Sequence, residues 1–304
     1  MEARKIEEYL IDVAGKEHVL FHEPMSRHTT FRIGGAARYF VMPDTVEQLQ
    51  QIVAFCREES VDFVVIGNGS NLLVSDAGYD GVVIQLFRNL SAVNIDGTTL
   101  RVQAGALLSK TAKQAADAGL TGMEFAAGIP GTVGGAVYMN AGAYGGEMSQ
   151  IVTGAVVLDG NGELRKLPVE ELELGYRTSV LQKQGLIVLE VELELQQGVR
   201  EDILARMEEL KVLRTTKQPL EYPSAGSTFK RPEGNYAGKL IMEAGFRGCQ
   251  TGGARVSDKH CGFVINAGGA TAADVIELTD SIRDKVYQDT GVMLELEVQK
   301  LGKF

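Results

Sequence analysis

The chain has 304 residues, 44% hydrophobic and 23% charged, with 30 basic against 40 acidic side chains and a formal net charge of −10. This ordinary globular composition excludes disorder and collagen-like repeats, and the length suggests about two domains with room for a small third. No net positive field is available for nucleic acid or anionic lipid, so an anionic ligand must be met by local Arg and Lys clusters.

The first residues, Met1 to Glu8, mix both charges where an export signal would place an apolar core, and no long apolar run follows. A cytoplasmic protein without a membrane segment is expected. The three cysteines, Cys56, Cys249 and Cys261, form no disulfide framework and are expected to be free buried thiols. They lack zinc-ligand spacing, so no metal is expected.

In chain order, Asp44 and Glu47 are spaced as a capping box ahead of a helix whose Val46, Leu49, Ile52 and Val53 share one face. Phe63–Ile66, Leu72–Val74 and Gly81–Ile84 read as strands, as does Leu100–Gln103. Leu107–Ala118 reads as a helix closed by Gly119. Ala155–Leu158 and Leu164–Leu167 flank Asp159-Gly-Asn-Gly as a hairpin, and alternation over Leu186–Leu195 reads as a strand. Helices are expected at Ile203–Leu213, Ala237–Ala244 and Thr271–Tyr287, the last with Thr271 and Asp274 as a cap pair, and strands at Cys261–Ile265 and Val292–Val298. Strands and helices mix without regular alternation, which points to an α+β fold. Its expected parts are 1–88, 89–200 and 201–304, the last residues returning to the first parts.

Glycine is in excess, 36 residues or about 12% against a usual ~7%. Gly67-Asn68-Gly69-Ser70-Asn71 lacks the third glycine and the following helix of a dinucleotide fingerprint. It fits either an anion-binding nest of backbone N–H groups or a simple bulge. The tract from Gly128 to Glu147 packs seven glycines into twenty residues, among them Gly131, Gly134 and Gly135 beside Thr132. Its apolar residues argue against a flexible linker and for backbone held close to a flat, phosphate-bearing ligand.

These loops, with Thr29-Thr-Phe-Arg-Ile-Gly-Gly35, Gly175-Tyr-Arg-Thr-Ser179, Ser224-Ala-Gly-Ser-Thr-Phe-Lys230 and Leu294-Glu-Leu-Glu-Val298 in that order, resemble the UDP-N-acetylenolpyruvoylglucosamine reductases over nearly the whole chain. The resemblance implies a vanillyl-alcohol-oxidase/PCMH-type FAD-binding fold of two α+β subdomains, plus a C-terminal α+β substrate-binding domain. It implies FAD, with its pyrophosphate against Gly67, Asn68, Gly69, Ser70 and Asn71 and against Gly128, Gly131, Thr132, Gly134 and Gly135. NADPH is the implied hydride donor and a UDP-sugar the implied substrate, reduced to UDP-N-acetylmuramate in peptidoglycan precursor synthesis.

By the same resemblance Arg177 holds the substrate carboxylate as an electron sink, Ser227 protonates the carbon bearing it, and Glu297 hydrogen-bonds the carboxylate or the enol. Arg214, Lys217 and Lys230 are implied to meet the diphosphate. Each has a plainer reading: a surface salt bridge for Arg177, a turn for Ser227, solvated strand carboxylates for Glu295 and Glu297, a charged helix end for Lys217. No tyrosine occurs between Thr178 and Leu213, so the chain resembles the shorter class without the substrate-covering tyrosine loop. The rival readings are a flavin oxidase of the same fold acting on another alcohol or sugar, and a nucleotide-sugar binding protein without chemistry. No nucleic-acid or membrane partner is expected, and the sequence leaves the oligomeric state open.

Overall fold

A computed structural model describes residues 2–304. The chain divides into two compact units, the first Met1–Phe21, Tyr39–Asn68 and Gly81–Leu213, the second His22–Arg38, Gly69–Asp80 and Arg214–Phe304. Each is therefore assembled from three separated stretches; of the five dividing points, three fall inside strands Val19–Pro24, Ala36–Val41 and Tyr79–Gln85, one in the first glycine loop and one inside helix Arg200–Lys217.

In the first unit a five-stranded antiparallel sheet runs in the order Leu164–Pro168, Val152–Leu158, Ile187–Glu194, Thr99–Gln103, Val93–Asp96. The Asp159 hairpin forms because the Asp159 carboxylate accepts the N–H groups of Asn161 and Glu163 at 2.8 and 3.1 Å. Alternation along Ile187–Glu194 puts Val191 and Leu193 in the core and Glu190 and Glu192 outside it. A second sheet pairs Phe63–Ile66 in parallel with Tyr79–Gln85, and this strand leads into the first glycine loop.

Helix Val46–Glu58 buries Leu49, Ile52 and Val53 as its period requires, but its cap is displaced by one residue from the expected box. Thr45 accepts the Gln48 N–H, and the Gln48 side chain returns to the Asp44 N–H at 2.7 Å. Tyr9 of helix Glu2–Ala14 stacks on Phe55 with ring centroids 3.9 Å apart, joining the two helices.

The second unit contains the antiparallel strands Gln250–Thr251, Ala254–Val256 and Val264–Asn266, helices Ala237–Glu243 and Ala272–Thr290, and the parallel pair Leu72–Val74 with Gln299–Leu301. Ile241, Val264, Val275, Ile282 and Leu294 fill its core. Two strand expectations fail here. Cys261–Ile265 is strand only from Val264, because Cys261 and Gly262 turn around His260. Val292–Val298 is not a ladder strand. Its hydrogen bonds go to the irregular serine segment, Lys230 N–H to Glu295 carbonyl and Glu297 N–H to Thr228 carbonyl, around a single bridge between Phe229 and Leu296. Cys56 and Cys261 are buried, and burial pushes the Cys56 thiol up to about 12, whereas Cys249 is exposed, contrary to expectation.

The cap of the long C-terminal helix is the expected one: Thr271 and Asp274 exchange side-chain to N–H bonds. Asp274 also accepts the Gly253 N–H, and these bonds hold its carboxyl below the usual range. Its stabilising contribution is complete above the ordinary carboxylate range and is lost as pH falls through the lowered folded-state value. Thr271→Ala should cost about 1 kcal/mol in urea unfolding at neutral pH. An Asp274→Ala variant, weaker than its parent at neutral pH, should converge on it in acid.

Candidate active site

Within the first unit the start of the first glycine loop, Gly67 and Asn68, lies against the second glycine loop. Asn68 Nδ2 donates to the Pro130 carbonyl at 2.5 Å, and a Cβ on Gly67 would lie 2.3 Å from Thr132 Oγ1. Only glycine at 67 permits that approach. Thr132 caps the short helix Val133–Tyr138, accepting the Gly135 N–H at 3.4 Å. The N–H groups of Val133 and Gly134 go to the carbonyls of Ala106 and Ala104, and a Cβ on Gly134 would meet the Ala104 Cβ at 2.7 Å. Gly134 and Gly135 thus spend their donors inside the protein. The N–H groups of Gly67, Asn68, Gly128, Gly131 and Thr132 meet no acceptor among the described residues. Neutral, oriented amides on glycine-permitted backbone are the donor set that a dinucleotide pyrophosphate requires, so these residues fit it.

Arg177 belongs to the same unit. It sits at φ 55 in a tight turn closed by reciprocal bonds between Gly175 and Thr178 at 3.1 and 3.3 Å. Its guanidinium donates to the carbonyls of Asn140 at 3.4 Å and Gly142 at 3.3 Å and lies 5.2 Å from the Tyr176 ring centroid. Asn140 Nδ2 donates to the Gly175 carbonyl at 3.1 Å, and Ser179 and Gln182 both donate to the Tyr138 carbonyl, at 2.7 and 2.6 Å. The arginine is therefore anchored to the segment that follows the helix rising from the glycine loop. Both of these bonds are to backbone carbonyls.

The second unit holds Gly69, Ser70 and Asn71 together with Ser227 and Glu297. Gly69, at φ 60, could carry no Cβ, which would lie 2.1 Å from the His28 carbonyl oxygen. Thr30 Oγ1 is within 3.4 Å of the Ser70 carbonyl and donates to the Ser224 carbonyl at 2.7 Å, so one hydroxyl links the glycine loop to the serine segment. Thr228 is buried and fixed through its N–H to Gly262, its Oγ1 to the Val264 N–H and its carbonyl to the Glu297 N–H at 2.9 Å. Asn71 Nδ2 holds the Glu297 carbonyl at 3.1 Å. Ser227 and Glu297 are thus on adjacent segments, each half-buried, and the Ser227 hydroxyl is bonded to no other described residue. Nearby, His260 accepts the Gly262 N–H on Nδ1 at 3.1 Å, and burial lowers its pKa, favouring the neutral ring.

Of the basic residues, half-buried Arg214 and exposed Lys217 share the last turn of helix Arg200–Lys217. Lys230 lies on the serine segment, 3.2 Å from Glu295. Lys259, unremarked in the sequence, reaches the Thr215 carbonyl at 2.6 Å and so brings a further cation to that helix end. Thr30, Asn140 and Thr228 were also missed, since their partners are far away in sequence, although each lies inside one of the motifs above.

Residues 37–168 match a family described as FAD binding domain, and residues 218–301 match the UDP-N-acetylenolpyruvoylglucosamine reductase C-terminal domain. The chain is 50% identical to the UDP-N-acetylenolpyruvoylglucosamine reductase of Alkaliphilus oremlandii over 303 residues, covering 100% of both chains. The chain belongs to the UDP-N-acetylenolpyruvoylglucosamine reductase family. It is 49% identical to the Clostridioides difficile reductase over 294 residues, 97% of each chain. The crystal structure of the Thermus caldophilus reductase matches with a TM-score of 0.80 at 38% identity, covering 93% of this chain and 98% of that one. A grass pollen allergen with glucose dehydrogenase activity, Phl p 4, matches at TM-score 0.50 and 18% identity over 64% of this chain and 44% of its own, which bears on fold alone. The fold is the PCMH-type FAD-binding fold joined to the C-terminal domain of this reductase family, whose members use FAD and NADPH.

The contact between Gly67 and Thr132 supplies a test of the first-unit cradle. Gly67→Ala should purify with clearly less flavin, read as absorbance near 450 nm per protein, whereas Gly160→Ala, whose added methyl meets nothing within 4 Å, should keep the parental flavin content.

Proposed function

We propose that Arg177, Ser227 and Glu297 carry out the reaction of this reductase, the NADPH-dependent reduction of the enolpyruvyl ether of UDP-N-acetylglucosamine to UDP-N-acetylmuramate in peptidoglycan precursor synthesis. The observation that carries this assignment is the pairing of the Ser227 segment with Glu297 within one unit, beside the end of the first glycine loop.

FAD held by the glycine loops would supply a hydride, drawn from NADPH, to the terminal vinyl carbon of the substrate. The double bond of an enol ether is electron-rich, so hydride transfer requires somewhere for the displaced electron pair to go. Arg177 pairs with the substrate carboxylate through its planar cationic fork and stabilises the enolate charge that collects there. Its bonds to the Asn140 and Gly142 carbonyls hold it in place. Ser227 then gives its hydroxyl proton to the carbon bearing the carboxylate, completing the addition of one hydride and one proton, and recovers a proton from solvent. A serine hydroxyl is a weak acid, so it serves only a strongly basic intermediate in a positioned, water-poor site. Glu297 hydrogen-bonds the carboxylate or the enol.

Gly67, Asn68, Gly69, Ser70, Asn71, Gly128, Gly131 and Thr132 offer backbone N–H groups to the flavin pyrophosphate, and Gly134 and Gly135 belong to the helix that follows Thr132, where Gly134 packs against Ala104. Arg214, Lys217 and Lys230 meet the uridine diphosphate. The reaction takes place in the cytoplasm, which fits three free thiols. Among the described residues no helix is long and apolar enough to cross a membrane.

Ser227→Ala should abolish turnover while NADPH still bleaches the bound flavin at close to the parental rate. Turnover that survives the substitution assigns the proton to another group.

A further inference from the structure

We infer that Asn140 is a positioning residue that sets the aim of Arg177. Its side chain is 1% exposed and both ends of its amide are used: Nδ2 donates to the Gly175 carbonyl at 3.1 Å and Oδ1 accepts the Ser149 N–H at 2.9 Å. Partners of opposite kind fix the amide in one orientation, since a flip would set oxygen against oxygen and donor against donor. Its own carbonyl accepts from Arg177 Nη1 at 3.4 Å. One buried residue therefore holds the turn on the N-terminal side of Arg177 and touches the guanidinium as well.

The turn has reason to need holding. Arg177 is at φ 55, a conformation that L-residues with long side chains adopt rarely and that persists only when its surroundings impose it. Ser179 and Gln182 secure the chain after Arg177 through the Tyr138 carbonyl, and Asn140 secures it before. Asn140 itself has φ 41, which Asn tolerates better than most residues. All of these groups lie in the first unit, and Asn140 is on the segment that leaves helix Val133–Tyr138. A guanidinium that stabilises charge only in the transition state works only at its proper position, and a shift of about 1 Å can cost about 100-fold. The inference rests on the reading of Arg177 as the group that meets the substrate carboxylate.

The test uses the flavin-loaded enzyme. Asn140→Gly keeps the left-handed backbone and removes the side chain. Asn140→Asp keeps the shape and the acceptor for Ser149 but turns an oxygen toward the Gly175 carbonyl. Both should keep flavin and its reduction by NADPH, while kcat falls about 10- to 100-fold. In an Arg177→Ala background the same substitutions should cost nothing further, which a merely structural residue would not achieve. Parental turnover in both variants, an equal loss in both backgrounds, or loss of flavin from both overturns the inference. Parental turnover in Arg177→Ala alone overturns the role of Arg177 instead, and the dependent inference with it.

Discussion

A vinyl ether that carries a carboxylate takes up hydride only when a fixed positive charge accepts the electron density pushed onto that carboxylate. Much of the first unit can be understood as a mount for such a charge. A strand and a six-residue helix bring two glycine loops into contact, and the chain leaving that helix supplies the carbonyls of Asn140 and Gly142 against which Arg177 rests. A free arginine on a flexible loop would spend its interaction energy on ordering itself; one held in an unusual backbone conformation by buried partners has that cost met during folding.

The glycines divide by what they do. At Gly67 and Gly134 a side chain would strike Thr132 or Ala104, so their absence of Cβ is a packing requirement. At Gly69 both the positive φ and the His28 carbonyl demand glycine. These close approaches explain why a tract so costly in backbone entropy is nevertheless built into buried structure. They also separate the amides available to a ligand from those already engaged: Gly131 and Thr132 are open, Gly134 and Gly135 are not.

What the sequence disclosed was whatever depends on neighbours. Helix Val46–Glu58, the Asp159 hairpin and the Thr271 cap follow from periodicity and turn chemistry within a few residues, and they stand close to where pattern placed them. Hidden were pairings set by tertiary structure. Asp76 caps the N-terminus of helix Ala272–Thr290 from 196 positions away, and Thr30 reaches Ser224 across 194. The segment Val292–Val298 has strand composition, yet its partner is an irregular serine turn, so it forms one bridge and no ladder. Asn140, between Met139 and Ala141 after a short helix, carries no local sign that its amide closes a distant turn. The motif residues themselves were legible only as a set, through resemblance, because a lone Arg, Ser or Glu has a commoner and plainer explanation.

The most direct measurement follows the two halves of the reaction separately in Arg177→Ala by rapid mixing. Reduction of the bound flavin by NADPH should proceed at about the parental rate, whereas reoxidation of the pre-reduced enzyme by enolpyruvyl-UDP-N-acetylglucosamine should slow by about 10²- to 10³-fold, the usual consequence of removing a group that stabilises transition-state charge. Reoxidation at the parental rate, or equal slowing of both halves, would contradict the account.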